Sequence, residues 1–302
     1  MIVMNWKTIG KAAVSIGLML YLISKLDVNT LYETFTQTNI SLLSISLPFI
    51  VLMYLVKARK WQALLNCINV RVPTRRSLDI ILIGTFYGAI TPGRTGEVSR
   101  AFYLNVESSR SIPTVIMDRI LDMICLMILS VLSIVLFFQD KNLIYLMASV
   151  MAIFAAGMFV ITNEKIVTLV FGVFSQNIEY KENYIKTIKE IAGNKKVIFS
   201  VFSLTLGYYL LNLIVYWIVI KSLNPSLNSL LTFSLPIVVV LGNFPISISG
   251  FGVRELVSVT IFHMLNESSA YGFSCSVILY FLTTLLPAVF GFLLTLRKNV
   301  KI

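Results

Sequence analysis

Apolar residues run through this chain in long blocks, and polar residues collect in short stretches between them. Six blocks, near residues 8–24, 41–61, 116–138, 143–162, 197–220 and 270–296, approach or exceed the length of about 20 residues that a helix needs to cross a bilayer. Two further blocks fail that test. In "DIILIGTFYGAITPG" (79–93) the uninterrupted apolar part lies near 80–90, and as a helix it would reach only about 16 Å, half the hydrocarbon thickness. "LPIVVVLGNFPISISG" (235–250) is broken by Pro236, Gly242, Asn243 and Pro245. A mixed helical segment follows each block. The pattern predicts an all-α polytopic membrane protein with six transmembrane helices and two re-entrant helical hairpins, each dipping to mid-membrane and returning.

Composition agrees. Of the 302 residues, 57% are hydrophobic and 13% charged, roughly half the charged fraction of a soluble domain. The net charge of +11 does not point to nucleic acid, because the basic residues sit beside apolar blocks, where they encode orientation. Lys57, Arg59, Lys60, Arg71, Arg75 and Arg76 cluster after the second block, opposed only by Asp79, and six lysines lie within 163–196. Both stretches are expected on the cytoplasmic side, as is the basic tail "LRKNVKI". Both termini are then inside. The N-terminal block has no small-residue cleavage site after it, so an uncleaved first span is expected rather than a signal peptide. Within 178–193, "IEYKENYIKTIKEIAG" reads as an amphipathic helix lying on the inner membrane face.

With this orientation, each half of the chain contains two spans, a hairpin and another span, and the halves (about 1–138 and 139–302) have opposite topology. Inverted repeats with broken helices at mid-membrane are a recurrent transporter plan. Irregular backbone at that depth survives only where protein or a watery cavity surrounds it.

The breaks carry the candidate chemistry. "PGRTGE" holds Pro92, Gly93, Arg94, Gly96 and Glu97, with Arg100 close behind; "SGFGVRE" holds Gly250, Gly252, Arg254 and Glu255. Helices that begin there would offer free N–H groups and a positive dipole end to an anion, and arginines suit phosphate. Asp118, Arg119 and Asp122 open the third span, the two aspartates four apart on one face. Arg119 either pairs with a hairpin glutamate or sits at the inner water boundary. Together these eight groups are four cations and four anions, a balance that fits a polar cavity inside lipid. The alternative is that they only neutralise one another and cap helices.

Other features read as structural. "KARKW" (57–61) reads as an interfacial anchor, Tyr208, Tyr209, Tyr216 and Trp217 as packing and interfacial residues, and His263 as a polar spot on a helix face. Cys67, Cys125 and Cys275 are isolated and support neither a disulfide framework nor a zinc site. No nucleophile–base pair, nucleotide loop, cofactor motif or metal constellation is visible.

Four stretches, "KARKWQALL", "FYGAITPGRTGEVSRAFYL", "MDRILDMICLMIL" and "FPISISGFGVRE", resemble in that order the motifs of the flippase-like membrane family that includes the transmembrane region of lysylphosphatidylglycerol synthase. The resemblance covers nearly the whole chain. It implies a bacterial or archaeal cytoplasmic-membrane protein that moves lipids or lipid-linked sugars between leaflets. It carries the family motifs onto Pro92, Gly93, Gly96, Glu97 and Arg100, then Asp118, Arg119 and Asp122, then Pro245, Gly250, Gly252, Arg254 and Glu255, although many relatives have glutamate in place of Asp118. The synthases carry a soluble aminoacyltransferase domain that is not seen in these 302 residues, so lysyl transfer is not expected.

The expected activity is translocation of an anionic phospholipid or lipid-linked sugar phosphate, with Arg94, Arg100 and Arg254 on phosphate and Glu97 and Glu255 holding them or exchanging protons. Two alternatives stay open: a secondary transporter of a small anion, and a non-transporting membrane partner of a glycosyltransferase or lipid synthase. The topology has a direct check. Cysteines introduced at residues 30 and 225 should react with an impermeant outside reagent, and labelling of Arg71→Cys from outside would overturn the orientation.

Overall fold

The computed structural model describes residues 17, 20–22, 24, 26, 28–138, 141–162, 178–244 and 246–296. Most of the expected first span, Pro245, most of the linker before residue 178 and the tail after residue 296 lie outside the described residues. All regular elements among the described residues are helical: α1 (Val28–Thr36), α2 (Ile40–Cys67), α3 (Thr74–Ala89), a 3₁₀ segment (Thr95–Tyr103), α4 (Ser108–Phe138), α5 (Lys141–Thr162), α6 (Ile178–Gly193), α7 (Lys195–Leu223), a second 3₁₀ segment (Ser229–Ser234), α8 (Leu235–Gly242), α9 (Val253–Met264) and α10 (Ser269–Thr295). Five of them, α2, α4, α5, α7 and α10, are long and apolar enough to cross a membrane. They fall on five of the six blocks predicted as spans.

Helix ends follow local chemistry. Asn39 and Asn194 cap α2 and α7, their side-chain oxygens accepting from the N–H of Leu42 at 3.0 Å and of Val197 at 3.2 Å. Asn69 (φ 60°) closes α2 in the left-handed region, with Asn69 N–H bonded to Asn66 O and Val70 N–H to Leu65 O, a Schellman motif. Asn266 (φ 59°) closes α9 in the same way.

The centre of the bundle is α2. Its buried face repeats every three or four positions through Ile50, Met53, Tyr54, Lys57, Lys60, Trp61, Leu64 and Leu65, while Arg59 faces outward. This corrects the reading of "KARKW" as an interfacial anchor. The helix runs on to Cys67, so Lys57, Lys60 and Trp61 stay within the packed interior. A second correction concerns α6. Its apolar stripe (Tyr184, Ile188, Ile191) is buried in the same core as α2 and α4, against protein instead of lipid.

The two segments too short for a span are α3, of 16 residues, and α8, of 8 residues; α3 starts at Thr74, ahead of the apolar run, and so reaches about 24 Å instead of the expected half thickness. After each, the chain makes a tight turn with two successive left-handed residues. Gly93 (φ 57°) and Arg94 (φ 57°) lie between Pro92 O and Thr95 N–H; Ser249 (φ 51°) and Gly250 (φ 78°) lie between Ile248 O and Phe251 N–H. Positive φ at both central residues with that closing bond defines a type I′ turn. The two turns face one another. Pro92 and Ile248 form an antiparallel bridge, flanked by Gly93 N–H to Ser247 O (3.4 Å) and Ser249 N–H to Thr91 O (3.2 Å).

Those flanking bonds make Pro92 and Ile248 a non-hydrogen-bonded pair, the kind whose Cα atoms approach to about 4.5 Å, inside the range a disulfide accepts. In a chain with Cys67, Cys125 and Cys275 replaced by serine, Pro92→Cys with Ile248→Cys should crosslink under mild oxidation, read as loss of thiol labelling after denaturation. Two free thiols in a folded double variant would contradict the pairing.

Candidate functional site

The first turn launches a 3₁₀ segment, in which residues three apart eclipse one another. Glu97 and Arg100 therefore share one row and are both buried, and Arg94, in the turn before the segment, reaches Glu97. The row meets Lys57 and Lys60 of α2 on one side and Asp118, Arg119 and Asp122 of α4 on the other. Glu97 is the hub. Its Oε1 lies 2.9 Å from Arg94 Nε, and its Oε2 pairs with Lys57 Nζ at 3.4 Å and with Arg119 Nη2. Lys60 Nζ bridges the two aspartates, 2.9 Å from Asp118 Oδ1 and in contact with Asp122. Arg100 pairs with Asp118 Oδ2 and lies 5.0 Å from the centre of the Trp61 ring, whose Nε1 donates to Thr114 Oγ1 at 3.1 Å.

Close backbone approach makes room for these groups. A Cβ at Gly88, in the last turn of α3, would sit 2.6 Å from Glu97 Cγ; one at Gly242, which ends α8, would sit 2.7 Å from Arg254 Cδ. The two broken segments thus use the same device, a glycine beneath an ionisable side chain from beyond the break.

On the second side, Arg254 lies over Tyr280 at 3.9 Å from the ring centre, and its Nε donates to Gly250 O at 3.4 Å. Among the described residues it has no ion-pair partner. Glu255 is fully buried. Its carboxylate accepts from Gly252 N–H at 2.6 Å and from Ser276 Oγ–H at 3.1 Å. One of the N–H groups expected to be free is thus already engaged at each helix start. Glu255 caps α9 itself, and on the first side Thr91 Oγ1 accepts from Gly96 N–H at 2.7 Å.

Between the two turns lies a cavity with about 60 Å³ of room for water centres. Arg94, Arg119, Asp122 and Arg254 line it, together with Lys57 and Lys60. Glu97, Arg100, Asp118 and Glu255 stand behind that wall, bonded as described. Tyr208 and Tyr209 of α7 also line it, whereas Tyr216 is core and Trp217 faces outward. His263 is exposed on the last turn of α9. Among the described residues no group of three His, Cys, Asp or Glu side chains could hold a metal ion.

The model of the lysylphosphatidylglycerol synthase transmembrane region matches residues 8–291. The chain belongs to this family. It is a multi-pass, flippase-like membrane protein, and the matched family region is a membrane region without a catalytic domain. No curated protein and no solved structure matches it.

Sequence reasoning missed Lys57 and Lys60, and they change the charge. Among the described residues the ion-pair network holds five cations (Lys57, Lys60, Arg94, Arg100, Arg119) against three carboxylates (Glu97, Asp118, Asp122), a formal +2 in place of the expected balance. Removing one partner of a buried ion pair costs about 3–5 kcal/mol. Lys60→Met should lower stability by that order, because two aspartates lose their shared cation. Arg59→Met, one residue away and exposed, should change it by less than about 0.5 kcal/mol. Thermal unfolding in detergent distinguishes them, and equal effects would contradict the network.

Proposed function

We propose that this protein is a translocase of an anionic phospholipid or lipid-linked sugar phosphate across the cytoplasmic membrane of a bacterium or archaeon. Family membership and the multi-span helical architecture support a flippase-like membrane transporter in general terms. The anionic substrate rests on one observation, the formal +2 of the buried network beside the cavity. Isolated charge is costly in a low-dielectric interior, and an anion from outside supplies what the network lacks. In this reading the headgroup enters the cavity while its tails stay in the bilayer. Arg94, Arg119 and Arg254 contact phosphate. Glu97 holds Arg94 and Arg119 in place, Arg100 and Asp118 brace the wall from behind, and Glu255 fixes the start of α9 and hence Arg254.

The same reading takes the halves, about 1–138 and 139–302, as inverted repeats whose hairpins meet between the leaflets. Both termini are cytoplasmic, following Arg71, Arg75, Arg76 and the lysines of 163–196. The paired type I′ turns and the matching glycines beneath Glu97 and Arg254 support this arrangement. Aminoacyl transfer forms no part of it.

Arg254 provides the test. With no carboxylate partner to strand, Arg254→Gln should leave thermal stability within about 1 kcal/mol of the parent and abolish headgroup translocation by purified protein in liposomes. Adding Glu255→Gln should not restore it. Full translocation by the single variant would remove Arg254 from the site. A parent protein that moves a soluble anion but no lipid would convert the reading to that of a small-anion transporter.

A further inference from the structure

The cavity also contains hydrogen-bond donors with nothing to bond. Arg254 Nη2, Arg119 Nε and Ser249 Oγ are buried without a partner, and all three residues line the same space. They come from α9, α4 and the second turn. Ser249 is 3% exposed. It is also held at φ 51°, a conformation unfavourable for a residue with a Cβ. Buried polar groups are nearly always satisfied in folded proteins; Asn212 Oδ1, an acceptor, is also without a partner on this wall, but the three donors outnumber it and mark a place for an acceptor. A water needs about 10–15 Å³ of such space. The roughly 60 Å³ present is therefore room for a cluster of about five water-sized atoms, the size of one phosphate.

The carboxylates tell the other half. Among the described residues Asp122 is the single acidic one lining the cavity. It is already engaged by Lys60 and lies 3.8 Å from Arg119. An ammonium group entering here would meet Lys57, Lys60, Arg94, Arg119 and Arg254, and no uncommitted carboxylate. Like charges in a poorly screened interior repel strongly.

We infer that the cavity selects a headgroup phosphate that carries no ammonium group, and that it rejects zwitterionic and aminoacylated headgroups, including the lysyl lipid after which the family is described. Ser249, Arg119 and Arg254 set this selectivity by donating to the phosphate oxygens. The inference rests on the translocase reading and narrows it.

The experiment uses the full-length protein in liposomes doped with one fluorescent short-chain lipid at a time: phosphatidylglycerol, phosphatidic acid, phosphatidylethanolamine or lysyl-phosphatidylglycerol. The two lipids without an amine should move at least tenfold faster than the two with one, and Ser249→Ala should slow them severalfold while its unfolding temperature holds. Inorganic phosphate should raise the unfolding temperature of the parent in detergent, less so for Ser249→Ala. A smaller than tenfold preference, with lipids still moving, overturns the selectivity and leaves the translocase reading standing. If no lipid moves and phosphate still stabilises, the site is one for a soluble anion and the translocase reading falls. If neither occurs, both fall.

Discussion

Glu97 gathers three cations from three separate parts of the chain around one carboxylate: Lys57 from α2, Arg94 from the first turn and Arg119 from α4. Coulomb attraction that would be worth about 1 kcal/mol in water is several times stronger in a protein interior, and so is the penalty for leaving any member alone. The rest of the architecture depends on this constraint. The helix α3, too short to span the bilayer, is packed through Ile80, Ile81 and Ile83. The segment that follows it brings Glu97 to Lys57 and Arg119, and Arg100 to Asp118. Apolar packing then closes around the result, with Gly291 of α10 lying directly against the Leu82 backbone of α3, the close contact through small residues that helices use in lipid.

Backbone irregularity is arranged to serve the same site. Arg94 and Ser249 are non-glycine residues held at positive φ, a strained state that persists only where the surroundings over-determine it. Here the antiparallel pairing of the two turns does so. Across the cavity, α10 widens into a π-turn over Phe281–Leu285 just before Pro287. Proline has no N–H to give to the carbonyl four residues back, and the Tyr54 hydroxyl donates to that oxygen, Thr283 O, at 2.9 Å. Thr283 and Thr284 line the cavity at this point. The paired turns and this π-turn are thus held by protein and border the polar space, as hydrocarbon surroundings require.

The spans were legible because long apolar blocks admit few other structures. The charges at 94–100 and 118–122 stood out because their apolar context makes them costly. Lys57 and Lys60 did not stand out. Basic residues at the end of an apolar block are what orientation signals look like, and the positive-inside pattern accounts for them without a site. The discriminating sign was periodicity. Lys57, Lys60 and Trp61 continue the buried row of Met53, Tyr54 and Leu64, while Arg59 falls on the other side. The capping of α9 was also readable in hindsight, since a glutamate three residues after the cap position is the capping-box spacing, and Glu255 stands three after Gly252. For α6, the amphipathic period announces that one face is covered and says nothing of whether lipid or protein covers it.

On the translocase reading proposed above, the excess charge links fold to function in energetic terms. An anion crossing hydrocarbon alone must shed its water with nothing in return. In this bundle the cations at the cavity were taken out of water when the chain folded, and that cost was met by Glu97, Asp118 and Asp122 together with the packing around them. The carboxylates leave two positive charges over. A fully neutralised network would make a more stable resting protein and a poorer host, because an entering anion would find every donor occupied. A network without Glu97 would repel itself apart. The observed composition lies between those limits: enough carboxylate to hold five cations together, and too little to reach Arg254 Nη2, Arg119 Nε or Ser249 Oγ. Those unfilled donors, fixed in place before any ligand arrives, need no reorganisation to receive one.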